Sequence, residues 1–322
     1  MTYSKILGTG AYMPENQVSN QDLEKIVATS DEWISSRTGI KTRPMTVDEN
    51  TSDLAYQAAL KALEAAEITA EELDMIIVAT VTGDYMFPSV AQLLQRRLGA
   101  RTIPSFDINA ACSGFIYALN IADKMIQSQA YRHILIIGAE TLSKFTDYSD
   151  RNTCVLFADG AGAMVLSASE EKHIHAIETF SKGDQEKHLF MDGYPLKENF
   201  KTPEQKRPFI KMEGKEIFKF AVWAIPYTLK KLSTASDISL NALKMIIAHQ
   251  ANERIIKYAA KGLKLPMSSM FMNIDKTGNT SAASVPIAID EAIKSNRLKR
   301  GDTFAAVAFG AGLTWGGTIM KY

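Results

Sequence analysis

Met75 to Ala79 reads Met-Ile-Ile-Val-Ala, five apolar residues in a row. An apolar run this short, bounded by polar residues, is a strand, and one apolar on both sides is a strand covered on both faces. His133 to Ala139 and Lys244 to Ala248 read the same way. Asn20-Gln21-Asp22-Leu23 reads as the cap of a helix running to about Ala28, and helices are expected between such strands: Thr51 to Ala66, the stretch opened by Phe87-Pro88-Ser89 and running to Leu98, Gly114 to Ile126, Asn252 to Leu263, and a segment ending near Ile293. Further strands are expected at Ser4 to Tyr12, Thr102 to Ile108, Asp302 to Phe309 and Thr318 to Lys321. Buried strands alternating with helices over short connections predict a layered α/β fold.

At 322 residues the chain exceeds a typical single domain. The rhythm of strands and helices occurs twice, so two similar α/β halves are expected, residues 1–170 and 171–322, without a visible residue-level repeat. Lys and Arg number 36, matching 36 Asp and Glu. That balance gives no global field toward nucleic acid or a membrane. Two cysteines, Cys112 and Cys154, give no disulfide framework and suit a reducing compartment. Met1 to Pro14 has no signal pattern and no apolar run is long enough to cross a bilayer, so a cytoplasmic enzyme is expected. His173 and His175 share a strand face but have no third ligand nearby, so no metal is expected. Ser181 to Pro208, with Gly183, Gly193, Pro195 and Pro203, reads as a long polar excursion. A long helix then follows Lys211-Met212-Glu213-Gly214 as far as Lys231, with a kink expected at Pro226.

Cys112 stands where a strand turns into a buried helix, in Asn109-Ala110-Ala111-Cys112-Ser113-Gly114. Free N–H groups at a helix start favour a thiolate, so a lowered thiol pKa is expected there. A buried structural cysteine is the alternative, and it is the expected role of Cys154. Trp33 and Arg37, four apart after Thr29-Ser30-Asp31-Glu32, share a helical face. An aromatic plane beside a guanidinium can hold a purine, although a tryptophan packing a surface helix explains the same pattern.

Three segments complete a pattern: Ala111-Cys112-Ser113-Gly114, His249-Gln250-Ala251-Asn252 and Gly278-Asn279-Thr280-Ser281-Ala282-Ala283. Cysteine, histidine and asparagine at element ends form a plausible nucleophile constellation. With Asp31-Glu32-Trp33-Ile34 to Ile40 and Phe309-Gly310-Ala311-Gly312-Leu313-Thr314-Trp315-Gly316, these segments closely resemble the β-ketoacyl-acyl-carrier-protein synthase III family across the whole chain. Those enzymes are acyltransferases that start fatty acid synthesis.

The resemblance implies a thiolase-like fold, two α/β halves in a five-layered α-β-α-β-α arrangement, and a homodimer. It implies that Cys112 takes an acetyl group from acetyl-CoA, and that His249 and Asn279 polarise the malonyl thioester as carbon dioxide leaves. The carbanion then attacks the acyl-cysteine to give acetoacetyl-acyl carrier protein. Acyl-CoA and malonyl-acyl carrier protein are substrates, and no cofactor is implied. The backbone N–H groups of Cys112 and Ala311 would form an oxyanion hole. Ala311 replaces the family's usual glycine, which suits a main-chain donor where its φ is negative. Ala158 likewise replaces a usual glycine. Thr29, Trp33, Arg37 and Arg151 would hold the nucleotide end of coenzyme A, and Met212, Gly214 and Phe218 would line the pantetheine tunnel. Phe87 would enter the partner subunit's acyl pocket and favour acetyl over longer or branched starters. Arg254, Lys257 and Lys261 on one helix face, with Lys215 and Lys219, would meet the acidic acyl carrier protein. The missing second C-terminal cysteine argues against a thiolase. A polyketide-type or 3-hydroxy-3-methylglutaryl-CoA synthase-like condensing enzyme, or a cysteine acyl-CoA hydrolase, are the alternatives.

Overall fold

A computed structural model describes residues 1–184, 186–193 and 208–322 of the chain. The middle of the expected polar excursion, with Pro195 and Pro203, lies outside the described residues.

The first half supplies β1 (Tyr3–Tyr12), β2 (Gln17–Ser19), α1 (Asn20–Glu24), α2 (Asp31–Thr38), β3 (Thr42–Pro44), α3 (Thr51–Ala66), β4 (Met75–Ala79), α4 (Val90–Leu98), β5 (Ser105–Ile108), α5 (Gly114–Gln127), β6 (His133–Thr141), α6 (Arg151–Cys154) and β7 (Asp159–Ser169). The rest supplies β8 (Ile174–Ser181), β9 (Leu189–Met191), β10 (Ile210–Met212), α7 (Gly214–Ser236), β11 (Ile246–Ala248), α8 (Glu253–Leu263), α9 (Ile274–Thr277), α10 (Ser284–Lys294), β12 (Thr303–Gly310) and β13 (Thr314–Lys321). One sheet has the order β1-β7-β6-β4-β5 and another β11-β12-β13-β8.

Strand period sets the layers. Ile76 and Val78 point to one face of β4, against Leu54, Ala58 and Ala62 of α3 and Leu94 of α4. Met75 and Ile77 point to the other, where Phe115 and Leu119 of α5 and Val285 and Ile289 of α10 lie. That same central layer packs against Ile247, Phe304, Ala306 and Met320 of the second sheet. The outer face of the second sheet, Ile246, Val307 and Ile319, is covered by Ile225 and Leu229 of α7 and Ile256 of α8. These five layers, α-β-α-β-α, are the arrangement implied by the resemblance.

Three local expectations change. The closing strand begins at Thr314, not Thr318. Gly316 and Gly317, which precede the expected strand, are needed inside it: a Cβ would stand 2.7 Å from the Glu178 or the Ala306 carbonyl oxygen, respectively. α7, with Pro226 inside it, runs past the expected Lys231 to Ser236, held by the packing of Ala224, Ile225, Leu229 and Leu232. The first helix is capped by Ser19 and ends at Glu24, short of the expected Ala28. Asn20 instead turns inward and accepts from the buried Arg43 guanidinium at 2.7 Å.

The duplication reaches single residues, which the sequence did not reveal. Asn109 Oδ1 accepts from the Ala111 N–H, and Asn279 Oδ1 accepts from the Ser281 N–H. Ala111 and Ser281 then adopt left-handed φ of 46° and 48°. In each half a short 3₁₀ turn follows, and then a buried central helix.

Candidate active site

Cys112 lies in the 3₁₀ turn Ala111–Ser113 ahead of α5 and is 8% exposed. The expected low thiol pKa is corrected by the structure: burial pushes it up from 9.0 to about 12, and the carboxyl of Glu140 adds to the rise. A hydrogen bond from Ser281 and the local backbone pull the other way and are outweighed. Loss of water from around a charged sulfur exceeds what a few N–H dipoles return.

His249 follows β11, and its backbone N–H donates to the Val307 carbonyl at 2.8 Å. Its ring packs edge-on against Phe309, with centroids 5.2 Å apart, and burial lowers its pKa to about 3. The imidazole is therefore neutral at physiological pH. Asn279 is held by its main chain to β7's approach: its N–H donates to Leu156 and its carbonyl accepts from Ala158, both at 2.9 Å. Gly278 before it has φ of 59°, and a Cβ there would stand 2.9 Å from the Ala158 Cβ. Because the Ser281 N–H occupies Asn279 Oδ1 at 2.9 Å, the amide nitrogen is the free end of that side chain.

Cys112, His249 and Asn279 line one cavity of about 120 Å³ together with Met212, Gly214 and Phe218. A second cavity of about 210 Å³ adjoins Cys112 and is walled by Val81, Leu142, Phe157, Met191 and Ile210, with Ala311 at its rim. The larger groove of about 820 Å³, beside Lys5, Glu171, Arg300 and Lys321, contains none of the candidate residues. Ala311 is not in the positive-φ region, whereas Gly312 has φ of 128°. A Cβ on Gly310 would stand 2.7 Å from the Cys112 nitrogen, so the 310–312 loop lies against the Cys112 backbone. Ser113 and Thr314 fasten the two segments through a 2.7 Å hydroxyl contact.

Of the other candidates, Arg151, not Arg37, stacks on Trp33, with its guanidinium carbon 4.6 Å from the ring centre. Arg37 is exposed near the C-terminus of α2, where its carbonyl accepts from Asn252. Thr29 Oγ1 is buried without a hydrogen-bond partner among the described residues. Arg254 lies 5.6 Å over the Phe218 ring. Lys257 pairs with Glu253 and Lys219 with Glu216, while Lys215 and Lys261 are exposed. Phe87 is 86% exposed beside Tyr85 and Met86, and does not line this chain's own cavities. Among the described residues no group of three or more potential ligands could hold a metal ion, and no helix is long and apolar enough to cross a membrane. Cys154 is core, packed with Leu23, Ile34 and Val155.

Two residues near Cys112 escaped the sequence. Glu140 closes an apolar strand that reads as ending at Ala139, and Ser281 looked like one small residue of a loop. The walls of the 210 Å³ cavity were equally silent, because Leu142, Phe157 and Ile210 come from separate segments.

The model of 3-oxoacyl-[acyl-carrier-protein] synthase III matches residues 106–183, and the C-terminal model of the same enzyme matches 234–322. The β-ketoacyl-[acyl-carrier-protein] synthase III of Xanthomonas campestris pv. campestris is 47% identical over 321 residues, covering 99% of this chain and 98% of that one. The solved 3-oxoacyl-[acyl-carrier-protein] synthase III of Aquifex aeolicus superposes with a TM-score of 0.93 at 46% identity, over 99% of this chain and 100% of that one. The priming β-ketosynthase of the R1128 polyketide pathway superposes with a TM-score of 0.94 at 32% identity, over 99% and 96%. With a thiolase-like fold and full-length similarity at this level, the chain belongs to the β-ketoacyl-acyl-carrier-protein synthase III family, acyl-transferring condensing enzymes of fatty acid biosynthesis.

Proposed function

We propose that this enzyme condenses a short acyl-CoA, acetyl-CoA first, with malonyl-acyl carrier protein, through an acyl group carried on Cys112. The observation that carries the reading is the convergence of Cys112, His249 and Asn279 on one cavity lined also by Met212, Gly214 and Phe218. In acylation the Cys112 sulfur attacks the thioester carbon, and coenzyme A leaves as the thiolate and is protonated by solvent. The Cys112 and Ala311 N–H groups meet the oxyanion, since preorganised donors aimed at developing charge need no reorganisation during reaction.

In the second half, the malonyl carboxylate departs as carbon dioxide and negative charge grows on the thioester oxygen. A neutral His249, donating through Nε2, and the free Asn279 amide stabilise that charge. The His249 pKa near 3 fits a hydrogen-bond donor and not a general acid. The carbanion attacks the acyl carbon and Cys112 is released. The acyl chain lies in the 210 Å³ cavity, roughly seven waters' worth of space. Phe87 reaches the same region of a partner subunit in a homodimer, and its bulk holds the starter short. Trp33 and Arg151 flank the adenine, with Thr29 and Arg37 nearby. Acyl carrier protein docks on Arg254 beside Phe218, with Lys215, Lys219, Lys257 and Lys261 adding local positive charge.

The test is the intact-protein mass after mixing with acetyl-CoA alone, beside Cys112→Ser. An acetyl-sized gain on the wild type only, discharged to a ketoacyl product by malonyl-acyl carrier protein, is the expected result. Discharge to free acid without malonyl-acyl carrier protein would instead indicate a hydrolase.

A further inference from the structure

Glu140 is fully buried on β6, beside the site and unused by the chemistry above. Its Oε2 accepts from Thr82 Oγ1 at 2.6 Å, the Val81 N–H at 3.1 Å and Thr80 Oγ1 at 3.3 Å. Its Oε1 accepts from Ser281 Oγ at 3.1 Å. All four donors are neutral. These donors favour the carboxylate, but burial outweighs them and raises its pKa from 4.5 to about 7.

Ser281 stands between this carboxyl and the nucleophile. It borders the same cavity as Cys112, and its hydroxyl is near enough to the thiol to lower the thiol's pKa. The left-handed turn at Ser281 and the packing of its loop on β6 fix that placement. A Cβ on Gly138 would stand 2.2 Å from the Ala282 carbonyl oxygen, so strand and loop are in backbone contact. Meanwhile the thiol is almost wholly protonated at neutral pH, and His249 is too weak a base to take its proton.

We propose that Glu140 accepts the Cys112 proton through the Ser281 hydroxyl and holds it between the two half-reactions. The inference rests on the reading of Cys112 as the acylated nucleophile. In acylation the Cys112 S–H proton passes to Ser281 Oγ while the Ser281 hydroxyl proton passes to Glu140. The sulfur electron pair forms the bond to the acyl carbon, the bond from that carbon to the coenzyme A sulfur breaks, and the departing thiolate takes one proton from solvent. In condensation the new carbon–carbon bond forms, Cys112 leaves as thiolate, and Glu140 returns the stored proton along the same path. One solvent proton is consumed overall, as loss of the malonyl carboxylate as carbon dioxide requires.

The titratable group facing Glu140 is Cys112, across Ser281. The segment after β4 presents the hydroxyls of Thr80 and Thr82, and α3 presents Thr51, which meets Thr82 and Thr141. On β7, Gly160 pairs with Glu140, and the neighbouring Asp159 is tied to Thr46 and Ser143. His249 lies on the cavity side of Cys112 and is neutral.

The test measures coenzyme A release in a single turnover with acetyl-CoA from pH 5.5 to 9, for the wild type, Glu140→Gln and Ser281→Ala. The wild-type rate is expected to rise with a midpoint near pH 7. Both variants should lose that midpoint and slow by about 100-fold. A Glu140→Gln enzyme that keeps the midpoint, whether or not it slows, overturns the proposal and leaves Glu140 a packing role. If Glu140→Gln does not fold, Ser281→Ala decides alone by the same criterion. If acetyl-CoA leaves no adduct on the wild type, it is the nucleophile's assignment that fails. Alkylation of Cys112 by iodoacetamide then decides the relay: a limb near pH 7 that Ser281→Ala abolishes supports it, and its persistence overturns it.

Discussion

Asn109 and Asn279 make the same contact in the two halves of the molecule: each side-chain oxygen accepts from the N–H two residues on, at 3.3 Å and 2.9 Å. The duplicated turn serves two ends. After Asn109 it delivers Cys112 to the head of α5, and in the second half it aims Asn279 itself at the cavity. Asn279→Asp keeps the acceptor that Ser281 needs but removes the amide donor. Condensation with malonyl-acyl carrier protein should fall by about 100-fold or more, in the range of losing one oxyanion donor. Acetylation of Cys112 should survive within a few-fold. Separate measurement of acetyl adduct formation and of its discharge checks this; equal loss in both steps would sink the assignment.

Gly310 and Ala311 should respond in opposite ways to the exchange of glycine and alanine. A Cβ at Gly310 has no room, being 2.7 Å from the Cys112 nitrogen, and would push the nucleophile's turn away from the loop. Ala311 already carries its Cβ without a positive φ. Gly310→Ala is expected to lower the acylation rate by about 100-fold, and Ala311→Gly to change it by less than about threefold. Single-turnover acylation rates decide, with thermal melting to show that Gly310→Ala remains folded.

The buried strands were legible because Met75 to Ala79 has no polar residue to suggest another structure. The place of Cys112 was legible because Asp107-Ile108-Asn109-Ala110 breaks a strand just before helical spacing begins. Glu140 was not, since one acid after an apolar run looks like the strand reaching water, whereas four neutral donors hold it inside. The thiol's environment was misread for a related reason. Helix position is visible in sequence, but the burial that outweighs it depends on segments 140 and 281 meeting in space. The 210 Å³ cavity was invisible because its walls share no period, only a location.

The stacking of Arg151 on Trp33 brings a testable consequence for coenzyme A. Ring and guanidinium are already in contact, so an adenine between them must part them and replace one cation–π contact with two stacking faces. Trp33→Ala and Arg151→Ala should each raise KM for acetyl-CoA about fivefold, the equivalent of about 1 kcal/mol, with kcat little changed. Trp33 fluorescence should also change on adding coenzyme A. A KM within twofold of the wild type in both variants would place the adenine elsewhere.

Acid should weaken the fold through His249. Its pKa falls from 6.5 in the unfolded chain to about 3 in the folded one, because burial disfavours the imidazolium. Above pH 6.5 both states hold the ring neutral and no proton difference exists. Below it the unfolded chain binds a proton that the folded one refuses, so stability is lost progressively as pH falls toward 3. Glu140 acts with the opposite sign: its raised pKa gives stability that is fully present below 4.5 and lost as pH rises through about 7. The two therefore oppose each other between pH 4.5 and 6.5, and only a difference between variants separates them. On going from pH 7.5 to pH 5, His249→Gln should lose about 2 kcal/mol less unfolding free energy than the wild type. Urea unfolding at the two pH values and one fixed protein concentration measures it. Equal losses in both proteins would mean that His249 accepts a proton in the folded enzyme, and with it that the ring is not the buried neutral donor the condensation step requires.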